Sequence, residues 1–172
     1  MPESLTVNPG QGELITGLGM QHKVGASALG GQLFIVEGVI PPGVLVTPHT
    51  HTREDECSYI LDGTLVYLVG DEEVEVTAGA YVVKPRGVRH AFWNASDQPA
   101  RVLEMHTPAT FENYYDKLSA IFLSHPPGSA SWRVAFDTLA GEYGLLLDWD
   151  LEIQLSGRPG LGAVHPAPGL AP

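Results

Sequence analysis

Basic residues are scarce in this chain of 172 residues, in which nine Lys and Arg stand against twenty Asp and Glu for a formal net charge of −11. Nucleic acid and anionic membranes are bound through clustered cations, so neither is expected as a partner. Cysteine is nearly absent: Cys57 is the single example. An internal disulfide framework is thereby excluded, and a reducing cytoplasm is the expected setting. No apolar run approaches the roughly eighteen residues that a membrane helix needs, and no basic segment followed by an apolar one opens the chain. Neither a membrane span nor a signal peptide is expected. No segment repeats, and the length suits one well-buried domain rather than two.

What the chain does carry is histidine in an ordered arrangement. His49 and His51 are two apart, so on an extended strand both rings leave the same side of the backbone. Glu56 follows the polar run Thr52-Arg53-Glu54-Asp55. Its odd offset from His51 requires the chain to bend before the carboxylate can rejoin the two rings. A third ring, His90, would arrive from a strand further along. A lone histidine is usually a satisfied polar residue or a surface one. Three imidazoles with one carboxylate instead suit a divalent first-row metal, and they leave coordination positions open for chemistry.

In chain order, residues 1–20 are rich in Gly, Pro and Asn without a sustained period and read as an arm lying on the domain or crossing to a neighbour. Residues 21–107 read as the β core. His22 to Leu29 and Gln32 to Glu37 have hairpin character around Gly30-Gly31, and Pro41-Pro42-Gly43 punctuates the chain before a short strand delivers His49. Without a bulge, Leu45 and Thr47 share the inward parity of the histidines. Ser58 and Ile60 share the parity of Glu56, Phe92 that of His90, and Cys57 and Trp93 face away. Leu45, Thr47, Ser58, Ile60 and Phe92 are therefore the expected pocket lining. Glu73 and Glu75 read as a solvated face, and Lys84, Arg86 and Arg89 as surface charges. An ordinary polar role is preferred for His106 over one at a cavity mouth.

Residues 108–155 change period. Phe111, Tyr114, Tyr115, Leu118, Ile121 and Phe122 recur at three and four, which predicts a helix from Thr110 to Leu123 whose tyrosines serve packing. A second helix is expected from an N-cap at Ser131 to Ala140 or Tyr143, with Gly141 and Gly144 as stop signals. Residues 156–172 form a Gly- and Pro-dense tail.

Two longer patterns carry a family resemblance. Gly43, five residues, His49, one residue, His51, four residues, Glu56, six residues, Gly63 resembles the first motif of the cupins. Gly79, five residues, Pro85-Arg86-Gly87, two residues, His90, three residues, Asn94 resembles the second. Counting back from Gly63 selects Glu56 over Glu54. The resemblance implies an all-β double Greek-key jelly-roll barrel, here with a C-terminal pair of α-helices. It also implies a metal held by His49, His51, Glu56 and His90: iron, manganese, nickel or cobalt, with zinc as a further candidate. The run from Leu103 to Tyr115, followed by Leu139 to Gly144, is similar to the extension of small single-domain cupins related to quercetinase-type dioxygenases. It departs from them at Ala109-Thr110, where a glycine is common. The function implied is a dioxygenase acting on a small enolic or phenolic, flavonol-like substrate, with dioxygen as co-substrate and Glu56 as both ligand and catalytic proton acceptor. A metal-dependent isomerase or epimerase of a sugar or keto acid, and a non-catalytic binding protein, remain open beside it. Exposed strand edges and the arms lead to the expectation of a homodimer.

Overall fold

Period-two burial marks two central strands. On β3 (Phe34–Ile40) Phe34, Val36, Gly38 and Ile40 are buried while the alternate residues are partly exposed, and on β10 (Ala100–Thr107) Ala100, Val102, Glu104 and His106 turn inward. The computed structural model describes residues 6–161, so residues 1–5 of the expected arm and 162–172 of the expected tail lie outside the described part. The remaining strands are β1 (Glu13–Ile15), β2 (Met20–Val24), β4 (Leu45–His51), β5 (Asp55–Asp62), β6 (Thr64–Val69), β7 (Glu72–Thr77), β8 (Tyr81–Lys84), β9 (His90–Trp93) and β11 (Leu145–Leu147). They form a six-stranded sheet in the order β1-β2-β3-β10-β5-β8 and a five-stranded sheet in the order β11-β4-β9-β6-β7. Every pairing is antiparallel. The architecture is mostly β, of jelly-roll type, with helices following the strands.

Ile60, Leu65, Tyr67, Val82, Phe92 and Val102 fill the space between the sheets. A second cluster, built on Phe34, Phe111, Trp132 and Phe136, fixes the helices onto the β core. Asp62-Gly63 makes the β5–β6 turn with Gly63 at φ 78°. A Cβ there would meet Ala100 Cα at 2.9 Å, so both the backbone angle and the close approach require glycine.

The helical segment departs from the sequence reading. The first helix, α1 (Glu112–Ser124), follows a 3-10 turn at Ala109–Phe111. The second, α2 (Ala130–Tyr143), is capped by Ser129, whose side chain accepts from the Trp132 amide, and not by Ser131. Gly144 ends it in the left-handed conformation, and β11 then runs back along β4. A third helix, α3 (Trp149–Ser156), adds to the expected pair. It was hidden because it is short and shows a single buried apolar residue, Leu155, which packs with Leu45, Val66 and Trp93 on the outer face of the five-stranded sheet. Two further corrections lie at the N-terminus. Strand β2 stops at Val24 and Ala26–Leu29 is a 3-10 helix, and part of the arm is strand β1, with Ile15 buried.

Replacing Leu155 by Ala should lower stability by about 2–4 kcal/mol, because a buried leucine leaves a cavity. Ile153→Ala, on the exposed side of the same helix, should change it by less than about 0.5 kcal/mol. Denaturant unfolding of the two variants checks whether α3 is docked as described.

Candidate metal centre

Strand β4 pairs with β9 as Leu45↔Trp93 and Val46↔Phe92, then the register shifts before His49↔His90. This bulge brings His90 directly across from His49. It also reverses parity: Leu45 faces outward with Trp93 and Leu155, while His51 and His90 are buried inside. The facing sheet contributes by rungs. Pairing of β5 with β10 and β8 aligns His106, Glu56 and Lys84 in one row, and Glu104, Ser58 and Val82 in the next.

His49 Nδ1 lies 2.6 Å from the Thr47 carbonyl oxygen and His90 Nδ1 lies 3.0 Å from that of Val88. A carbonyl only accepts, so each ring carries its proton on Nδ1 and presents an unprotonated Nε2. Those two Nε2 atoms face one another at 3.1 Å. Glu56 Oε2 stands 3.0 Å from His90 Nε2 and 3.4 Å from His51 Nε2, and it has no hydrogen-bond partner among the described residues. Lone pairs directed at one another repel unless a cation lies between them. One donor atom from each of His49, His51, Glu56 and His90 lies within 4.8 Å of the other three. Donors at about 2.1 Å from a shared ion would stand up to about 4.2 Å apart, and the separations of 3.0, 3.1 and 3.4 Å lie inside that limit, so the residues could hold a divalent metal.

Electrostatics agree with that use. Burial, with His90 and His51 adding to it, holds His49 well below its ordinary pKa, and burial also lowers His90, so both rings stay neutral. Burial pushes Glu56 up, but Lys84, His106, His51 and His90 outweigh it and hold the carboxyl well below the usual range. For His51 burial is likewise outweighed, by Glu54 and Glu56, and its pKa rises.

A buried layer supports these residues. Lys84, read from sequence as a surface charge, is fully buried and binds Glu56 Oε1 at 3.0 Å and Glu104 Oε2 at 2.7 Å. Burial pulls its pKa down, but the two carboxylates prevail and raise it. Glu104 is pushed up by burial to about 7 and accepts from the Ser58 hydroxyl at 2.8 Å. Glu54 Oε2 lies 3.5 Å from His51 Nδ1, and Thr110 donates to Glu54 Oε1. His106 is also buried, with burial taking it down to about 3.

Residues 36–106 match the family model described as a cupin domain, the span that holds both motifs and all four donors. This chain carries a cupin domain. Over 69 residues it is 36% identical to the tetracenomycin polyketide synthase protein TcmJ of Streptomyces glaucescens, covering 40% of this chain and 46% of that one. Over 97 residues it is 32% identical to germin-like protein 5-1 of Oryza sativa subsp. japonica, covering 54% of this chain and 43% of that one. The chain thus spans less than half the length of these curated relatives. Among solved structures, that of a predicted oxalate decarboxylase from Thermotoga maritima superposes with a TM-score of 0.50 at 26% identity, over 52% of this chain and 78% of that one.

Between the β core and the helical segment, a cavity of about 150 Å³ reaches His49, His51 and Glu56. Of the expected lining, Thr47 and Phe92 face it. Leu45, Ser58 and Ile60 do not: the bulge turns Leu45 outward, Ser58 is engaged by Glu104, and Ile60 packs between the sheets. Their places are taken by Val44 and Val46 and, from the helical segment, by Phe111, Tyr114, Tyr115, Leu118 and Phe136. Asn94 bonds backbone, donating to the carbonyls of Ile40 and Gln98, as its position in the motif suggests.

Two outcomes test this layering. Lys84→Met strands two buried carboxylates and should cost about 3–5 kcal/mol in denaturant unfolding. Without the ammonium, Glu104 rises further above its ordinary 4.5. The folded variant then keeps a proton that the unfolded chain releases, so its stability is best at low pH and is lost as pH rises through 7. Glu54→Gln keeps its size but removes the charge behind His51, and should weaken metal affinity by about 10- to 100-fold in a competitive chelator titration.

Proposed function

We propose that this cupin is a metal-dependent dioxygenase acting on a small, flat, largely apolar substrate that offers an enol or phenol oxygen. The observation that carries this reading is the cavity wall. Among the described lining residues none is Lys or Arg, and the charged ones, Glu56 and Glu104, stand with His49 and His51 beside otherwise mostly apolar side chains. A sugar phosphate would call for cations in the wall, and a sugar for many polar groups. Lys84, the one buried Lys or Arg among the described residues, is engaged by Glu56 and Glu104 and is not part of the lining.

A divalent first-row ion held by His49, His51, His90 and Glu56 supplies a local charge of about +1 and open positions for an anionic oxygen. The remaining roles belong to the chain itself. Val46, Phe92, Phe111 and Tyr114 exclude water and shape the space for a ring system. Glu56, kept ionised by Lys84 and the surrounding imidazoles, can take the proton of an enol or phenol entering beside it. Its depressed pKa makes it a weak base, so the proton it accepts must be more acidic than that of a free phenol, as it would be on an oxygen held by a divalent ion. One relative takes its name from polyketide synthesis, and polyketide carbonyls enolise readily, which adds to the case for such a substrate.

Oxygen uptake by metal-loaded protein with a panel of enols and flavonols should be substrate-dependent and should vanish on chelation. In Glu56→Gln, metal content after purification should fall at least about tenfold. Turnover that persists in oxygen-free buffer would assign the isomerase class instead, and full metal retention by Glu56→Gln would remove that residue from the ligand set.

A further inference from the structure

His106 poses a question of proton placement whose answer reaches the cavity. Its Nε2 lies 3.0 Å from the Tyr115 hydroxyl and 3.6 Å from Glu56 Oε1, and its buried Nδ1 has no hydrogen-bond partner among the described residues. A neutral imidazole carries one proton. Placed on Nδ1, it would leave a buried N–H without an acceptor and turn the Nε2 lone pair toward a carboxylate. Both are costly, and orphaned buried N–H groups are rarer than orphaned acceptors. Placed on Nε2, the proton points between the phenol oxygen and Glu56, and only an acceptor lone pair on Nδ1 goes unused. His106 is therefore the donor and the Tyr115 oxygen the acceptor.

The hydroxyl hydrogen of Tyr115 then has nothing to bond: His106 is its one hydrogen-bond partner among the described residues. Tyr115 projects from α1 into the cavity lining, beside Phe111 and Tyr114. A phenol donor without an acceptor, in a wall that is otherwise mostly hydrocarbon, is a recognition group awaiting a ligand oxygen.

We propose that Tyr115 donates the hydrogen bond that orients substrate in this cavity, so that the substrate class is an aromatic or similarly flat molecule bearing a carbonyl or equivalent acceptor oxygen. The inference rests on the reading of the cavity as the substrate site. Tyr115 is placed for the task by His106, whose Nε2 holds the phenol oxygen beside Glu56 and leaves the hydroxyl hydrogen free to turn toward the ligand.

Acetophenone and α-methylstyrene separate the two claims, because they share a shape and differ in having C=O or C=CH₂. Dry cavities of this size accept small aromatic molecules. Both probes are titrated into full-length, metal-loaded wild-type protein and Tyr115→Phe. Loss of the one hydrogen bond should weaken acetophenone by about three- to tenfold and leave α-methylstyrene within about twofold, and the second probe doubles as the control for folding and packing. Equal acetophenone affinity in the two proteins overturns the donor role while the cavity reading stands. Equal weakening of both probes assigns the loss to packing and likewise overturns it. Failure of either probe to bind wild-type protein removes the cavity reading, and the donor role with it.

Discussion

The opposed Nε2 atoms of His49 and His90 are the constraint on which the site depends. Each ring is held from behind by a backbone carbonyl two residues earlier in its own chain, so neither can turn its proton inward. Two aromatic nitrogens at 3.1 Å with both lone pairs inward are unfavourable in an empty hollow and favourable around a cation. The β4 bulge makes this meeting possible. It is also what excludes Leu45 from the cavity, so one backbone irregularity sets both the donor geometry and the shape of the wall.

The helical segment is part of the site rather than a cover over it. It meets the centre at three places: β11 pairs with β4 across His49 and His51, Thr110 bonds Glu54 behind His51, and Tyr115 meets His106 beside Glu56. The first contact is locked by Gly144, whose carbonyl accepts from both the amide and the hydroxyl of Thr52. A Cβ at Gly144 would come within 2.5 Å of that hydroxyl oxygen, so the helix stop and the strand pairing share one residue. The cavity wall and the layer behind the ligands therefore both draw on residues beyond the matched 36–106 span.

The convergence of His49, His51, Glu56 and His90 was legible in sequence because side chains that meet from neighbouring strands leave a short-range signature: a two-residue spacing, a turn glycine, a fixed distance to the next motif. The buried layer left none. Tyr81, Val82, Val83 and Lys84 include three apolar residues in a row, so period alone does not say that Tyr81 and Val83 face out and Val82 and Lys84 face in. Pairing register does, because Lys84 stands opposite Glu56. A lysine at a strand end also looks like a surface residue in any local window. The same limit applies to Glu104 and His106, whose partners come from other strands and from α1. Leu45 was misread for a related reason, since alternation extrapolated through an unmarked bulge carries it to the wrong face.

Charge accounts for why such a layer exists. Three carboxylates, Glu54, Glu56 and Glu104, are buried close to a single ammonium, Lys84. Glu104 and Lys84 offset one another, which leaves Glu54 and Glu56 as two buried negative charges once His51, whose pKa they raise, gives up its proton to bind an ion. Isolated charges of that kind are too costly to bury. A divalent ion balances them, whereas a monovalent one would leave an excess negative charge. Glu54 sits behind His51 and outside the cavity lining, so it acts on the centre from the rear. The same arrangement therefore favours a divalent ion over a monovalent one.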